Sequence, residues 1–222
     1  MKHILTWILA LTVTTVAWGQ TIFTTNATVN SLIPDNNQNG LATSLTLSGV
    51  GGPISSVTVS VDITGGFNGD LYAYLVGPNG GFAVLLNRSG VSSTSTYGYN
   101  DAGFNVTFSD TAANGNIHFY QNTLNPGGSA LTGTWAPDGQ NINPQSSPAS
   151  FPAIPVPTAT LSSFDGLSAD GTWVFFISDL SAGGQSTLQS VGLTLAVPEP
   201  STLAICGLSA LSLVSIQRMR KK

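Results

Sequence analysis

The middle of this chain has almost no basic chemistry. Between Gln20 and Val197 there is no lysine and no glutamate, and Arg88 is the one strong base. Nine aspartates are spread along the same stretch: Asp35, Asp62, Asp70, Asp101, Asp110, Asp138, Asp165, Asp170 and Asp179. Nine acids against one arginine leave this segment at −8, while the whole chain stands at −4 because the other basic residues sit at its two ends. Nucleic acid is thereby excluded as a partner, since phosphate binding works through counterion release by many Lys and Arg side chains. Acidic membrane surfaces are disfavoured as docking surfaces for the same reason, and cations are the charged partners that fit. Cysteine is nearly absent too. Cys206 is the only one and lies in an apolar run near the C-terminus, so the middle segment has neither disulfide nor thiol chemistry. Histidine is scarce: beyond the first few residues only His118 remains, with no nucleophile-elbow sequence beside it. A Ser–His–carboxylate mechanism therefore lacks its parts, and His118 reads as a strand or loop residue. A glycosidase needs two opposed carboxyl groups. The aspartates supply the number, but no spacing singles out a pair.

The two ends carry what the middle lacks. Lys2 and His3 precede a mostly apolar run from Ile4 to Val16, and Ala17-Trp18-Gly19 puts small residues at −3 and −1 of a cut before Gln20. That is the layout of a secretory signal, and its apolar run is too short for a spanning helix. At the other end Thr202–Ile216 is uncharged and is followed at once by Arg218, Arg220, Lys221 and Lys222, a basic cluster expected to stay in the cytoplasm. The run is thin for a bilayer core of ~30 Å but sufficient for a transient anchor. Before it stands Pro198-Glu199-Pro200, extended because neither proline can donate a backbone hydrogen bond. Tripeptide, apolar run and basic tail, in that order, resemble the PEP-CTERM sorting signal of Gram-negative and related bacteria. The resemblance implies an exosortase-type membrane processing enzyme as partner. The expected organisation is a signal peptide over 1–19, one domain over 20–197, and a sorting and anchor segment over 198–222.

The middle segment alternates. Val57, Val59, Val61 and Ile63 interleave with Thr58, Ser60 and Asp62, a period of two that predicts a half-buried strand. Phe104, Val106 and Phe108 repeat that pattern, as do Val191, Leu193, Leu195 and Val197, and Leu45 with Leu47 hint at another strand. Leu71–Val76 and Phe82–Leu86 flank the reversal Gly77-Pro78-Asn79-Gly80-Gly81, which predicts a hairpin. Trp173–Ile177 is apolar on both faces, which predicts a strand in the centre of the sandwich. Ser89–Asn100 reads as a surface loop and Pro144–Pro157, with five prolines, as an extended insertion. No stretch has a sustained helical period. Short strands with frequent turns predict an all-β sandwich or jelly roll.

Calcium is the chemistry these residues favour. Asp35-Asn36-Asn37-Gln38-Asn39-Gly40 matches the first half of an oxygen-rich calcium loop, with Asp35, Asn37 and Asn39 as ligands, although Thr46 stands where the bidentate Glu belongs. Asp62, Asn68 and Asp70 around the Gly-rich turn form a second candidate set, with Asp110 or Asp179 contributing from neighbouring strands. The competing account is that Asp and Asn here make turns through their own backbones. Tyr97, Tyr99 and Trp135 are candidates for stacking on sugar rings; against this, large aromatics such as Trp135 more commonly fill cores.

A longer pattern runs through the domain: Ile33-Pro34-Asp35; Asn68-Gly69-Asp70-Leu71; Gly77-Pro78-Asn79-Gly80; Asp101-Ala102-Gly103-Phe104; Leu131-Thr132-Gly133-Thr134-Trp135; Phe164-Asp165-Gly166; Gly171-Thr172-Trp173; and Ser178-Asp179. It resembles the proprotein convertase P domain, also called the P/Homo B domain, in its stand-alone bacterial form. The resemblance implies a jelly-roll-like antiparallel β-sandwich of the galactose-binding-like kind, here between an N-terminal signal helix and a C-terminal membrane-anchor helix. In convertases and many subtilisin-like proteases this domain follows and supports the catalytic domain. The function expected is thus a non-catalytic module, exported to the outer surface or extracellular matrix and transiently anchored in the inner membrane. The alternatives are a calcium-dependent carbohydrate- or protein-binding module, with extracellular polysaccharide as one partner, and an accessory domain for a subtilisin-like serine endopeptidase.

Overall fold

The computed structural model describes residues 19–199. Most of the expected signal segment, and all of the sorting and anchor segment beyond Glu199, lie outside the described residues; Pro198 and Glu199 are described and Pro200 is not. Among the described residues no helix is long and apolar enough to cross a membrane.

Gln20–Pro198 forms one compact unit. Its nine strands are β1 (Gln20–Leu32), β2 (Asn37–Leu47), β3 (Ser56–Gly65), β4 (Leu71–Val76), β5 (Phe82–Asn87), β6 (Gly103–Phe108), β7 (Leu131–Trp135), β8 (Gly171–Asp179) and β9 (Ser186–Pro198). They make two sheets, a five-stranded one in the order β1-β9-β3-β6-β7 and a four-stranded one in the order β2-β8-β4-β5. The alternation in β3 does what its period implies: Val57, Val59, Val61 and Ile63 are buried and the residues between them are not. The same rule buries Leu71, Ala73 and Leu75 in β4 and Trp173, Phe175 and Ile177 in β8. These rows meet between the sheets with Phe104, Phe108, Leu131, Trp135 and Phe164 in one continuous core. Each buried large apolar side chain contributes about 1.5–3 kcal/mol relative to an exposed one.

Two expectations are corrected. The sandwich is not wholly antiparallel, because β6 and β7 pair in parallel. A parallel pair needs a long crossover, and the stretch from Ser109 to Ala130, with its kinked 3-10 segment Ile117–Asn122, supplies it. Next, β8 is central in its sheet, as its apolar run implies, but it is covered chiefly on one face. It lies between β2 and β4, but Val174 and Phe176 are partly exposed on the outside, where Phe176 stacks on Tyr74 with centroids 4.8 Å apart. The structure adds β1, a full strand that apolar alternation does not announce: its residues are exposed or half-buried throughout, and it pairs only with β9 at the sheet edge.

One end of the sandwich gathers four connections. Ile33 N–H donates to Ser186 O, Asn68 N–H to Asp101 O, Gly69 N–H to Tyr99 O and Leu180 N–H to Asp70 O. The β1–β2, β3–β4, β5–β6 and β8–β9 links therefore converge there.

Candidate functional site

That end holds Asp35, Asp70 and Asp179 together with exposed Phe67 and Tyr97. The β3–β4 link closes with a 3-10 turn, Asn68–Asp70, and all three residues are buried. Gly69 makes the packing possible: a side-chain carbon there would collide with the Tyr97 carbonyl and crowd the Tyr99 nitrogen. Without one, Gly69 N–H donates to Tyr99 O at 2.8 Å. Gly98 turns between the two tyrosines at φ +70°, a left-handed conformation that favours glycine. Tyr97 is thereby turned outward and is 76% exposed, while Tyr99 packs edge-on against Tyr120 at 4.7 Å.

The result is a cleft of about 360 Å³ lined by Phe67, Asp70, Tyr97, Tyr99, Asn100 and Ser181 among others. Asp70 is 4% exposed. Burial pushes its carboxyl above the usual carboxylate range; a hydrogen bond with Ser181 and the charge of Arg88 pull it down, and Asp35 pushes it up. Asp179, fully buried, is pushed up to about 6, chiefly by burial and further by Asp70 and Asp35, against hydrogen bonds from the backbones of Ser181 and Asn36. Its Oδ2 has no hydrogen-bond partner. Arg88, the domain's one arginine, stands near Asp70, and burial depresses its guanidinium while Asp70 raises it.

The predicted site residues divide clearly. Asp35, Asp70 and Asp179 come within electrostatic reach of one another, and Tyr97 and Tyr99 line the same cleft. Of the rest of the proposed calcium sets, Asn37 stands opposite Asp179 in the β2–β8 ladder, and the other members are engaged locally or elsewhere. Asn37 and Asn39 stand at the start of β2, where Asn37 Oδ1 accepts Asn39 N–H at 2.9 Å, a local turn in place of a ligand loop. Asn68 is spent inside the molecule: its Oδ1 accepts Gly103 N–H, and its Nδ2 donates to Gly103 O and to Tyr120 Oη. Asp110 caps the 3-10 turn Leu161–Phe164, accepting from Leu161 N–H at 3.1 Å and Ser162 N–H at 2.7 Å. Asp62 lies within β3 on the other sheet, opposite Ser190 and Asn105. Among the described residues no three His, Cys, Asp or Glu side chains are gathered into a preformed metal centre. Trp135 is also corrected: it is fully buried and its Nε1 donates to Thr132 O, so it offers no face to a sugar.

His118 is buried within a kinked 3-10 segment, not placed on a strand or an open loop. Its Nδ1 is 2.7 Å from Asp138 Oδ2 and its Nε2 2.9 Å from Val91 O. Both partners accept only, so both ring nitrogens carry protons when both bonds are made. Burial lowers the imidazole's pKa, but Asp138, Val91 O and the Asn87 backbone together raise it above the ordinary 6.5. Phe119 and Phe151 wall the ring, at centroid distances of 4.6 and 5.9 Å. A ring hydrogen-bonded at both nitrogens and walled in has neither the free lone pair nor the access of a general base. No single signal in the sequence marks this pair, since His118 and Asp138 are twenty residues apart.

Residues 54–125 match the family model of the proprotein convertase P-domain. That span runs from the approach to β3 past β6 and includes Asp70, the Tyr97–Asp101 stretch and His118. No curated protein matches the chain. The chain is similar to the serine protease of Aeromonas sobria in complex with its chaperone, at 15% identity and a TM-score of 0.44, over 82% of this chain and 28% of that one. It is similar to the same protease alone at 15% identity and 0.44, over 81% and 27%. It spans less than a third of that protease's length.

Proposed function

From the P-domain match across residues 54–125, we propose that this chain is an exported, non-catalytic module whose jelly-roll-like sandwich presents its acidic, aromatic end for recognition. The observation that carries the reading is the burial and double hydrogen bonding of His118. The residue best suited to acid–base work is committed to holding the structure, while exposed Tyr97 and part-exposed Phe67 face solvent beside Asp70. Export rests on the two ends of the sequence. The first nineteen residues direct secretion, and Pro198-Glu199-Pro200 with the apolar run and basic tail forms a PEP-CTERM signal read by an exosortase-type enzyme. The module is then held transiently in the inner membrane and passed to the outer surface or matrix. Mass spectrometry of the mature protein tests this. The expected N-terminus is Gln20, with the C-terminal run removed or membrane-held; recovery of the uncut chain from the cytosol would refute export.

Calcium dependence is the second reading, favoured by the buried, unpartnered Asp179 Oδ2, on which the charges of Asp70 and Asp35 both act. A rise in melting temperature on adding millimolar calcium to chelator-stripped protein is its signature. A third, accessory action beside a subtilisin-like protease, draws on the family match. Its signature is co-purification with such an enzyme.

A further inference from the structure

The cleft at the four-loop end combines two features that no single simple ligand class satisfies. Its rings are uncovered: Phe67 is 41% and Tyr97 76% exposed. Its floor is acidic, because Asp70 lines it, Asp35 and Asp179 are within electrostatic reach, and Arg88 is the one guanidinium nearby. A neutral sugar would stack on the rings and donate its hydroxyls to the carboxylates, but it brings no positive charge to a domain that has nine aspartates against Arg88. A metal ion would take the carboxylates and leave the rings bare, and the acids do not converge into a metal centre. A side chain that is apolar along its stem and cationic at its tip meets both. The charge of the whole domain, with nine aspartates and one arginine between Gln20 and Val197, points the same way.

Resting on the reading of this chain as a binding module, we propose that the cleft takes a lysine or arginine side chain presented by an extended segment of a partner protein. The methylene stem lies against Phe67 and Tyr97 and the charged head against the Asp70 carboxylate. Gly69 and Gly98 hold the site open by letting the tyrosine loop sit directly on the Asn68–Asp70 turn.

The test is an amide-shift titration of the Gln20–Pro198 unit, which has its own core. The probes are end-blocked Gly/Ser peptides carrying one central lysine, arginine or glutamine. Saturable shifts at Gly69, Gly98, Tyr99 and Ser181 are expected with lysine and arginine, and none with glutamine. Tyr97→Ala, at an exposed position that leaves folding intact, is expected to weaken binding roughly threefold. Asp70→Asn is expected to weaken it about tenfold. Asp62→Asn removes the same charge from the other sheet and is expected to leave binding unchanged. Equal loss from Asp62→Asn, or an unaltered affinity in Tyr97→Ala, would show diffuse attraction and overturn the proposal. So would equal binding of the glutamine peptide, or calcium displacing the lysine peptide while binding Tyr97→Ala undiminished. None of these outcomes touches the processing of the two termini, so export and this site stand or fall separately.

Discussion

Asp179 ends the inward-facing row of β8, where Trp173, Phe175 and Ile177 fill the core. Its carboxyl is pushed up to about 6 from 3.8, mainly by burial. A folded-state pKa above the unfolded one gives stability that is complete below pH 3.8 and lost as pH rises through about 6. Asp179→Asn removes the buried charge and keeps an acceptor for Ser181 N–H. It should raise the urea-unfolding free energy by on the order of 1 kcal/mol near neutral pH and change it little at about pH 4. An equal loss at both pH values would show that the carboxylate is structurally required. His118 stands the other way. His118→Ala leaves the fully buried Asp138 without its cationic partner and should cost about 3–5 kcal/mol, read by urea denaturation near pH 6. A loss below about 1 kcal/mol would mean that the ring is uncharged in the folded state.

Elements were legible in the sequence where one face is buried and the other wet. Val57–Ile63, Leu71–Val76 and Phe104–Phe108 declare their strands because burial imposes the period of two. β1 escapes because it is an edge strand that buries nothing fully, and on its half-buried face Thr25 and Ser31 interrupt Phe23, Ala27 and Val29. β8 misleads because Val174 and Phe176 are apolar yet outward, covered in part by Tyr74 and its neighbours. Half of the cleft was visible as residue types, in Asp70, Tyr97 and Tyr99. The rest was not, because which acids meet depends on four links converging from distant parts of the chain. The proline-rich insertion hid an anchor of the same kind. Phe151 is 2% exposed and stacks on His118, while Ile154 and Val156 stand in solvent. Phe151 lies outside the central core cluster. Phe151→Ala should therefore release the Pro144–Pro157 segment without unfolding the sandwich. Limited proteolysis should cut there several-fold faster while the far-ultraviolet spectrum holds; global unfolding would instead make the segment part of the core.

Across the whole molecule the resolved carboxyl and imidazole shifts share a direction. Asp70, Asp165 and Asp179 are raised, with burial the first cause in each, and His118 is raised by Asp138 against burial. Each favours the protonated form when folded, so each contribution fades as pH climbs through its folded-state value. The domain should melt at a higher temperature near pH 5 than near pH 8, and added salt should narrow the gap by screening its surplus negative charge. A melting temperature that rises steadily over that range would contradict the assignment. The strand order also decides how the molecule bears force. β9 runs between β1 and β3 and ends at Pro198, which pairs with Gln20. Tension entering through Pro198 acts along β9 and loads two ladders in shear, with their perpendicular hydrogen bonds sharing the strain together. Tension entering through Gln20 meets a single ladder at the sheet margin. Of the two ends of the sandwich, Pro198 is therefore the one from which a pull meets the greater resistance.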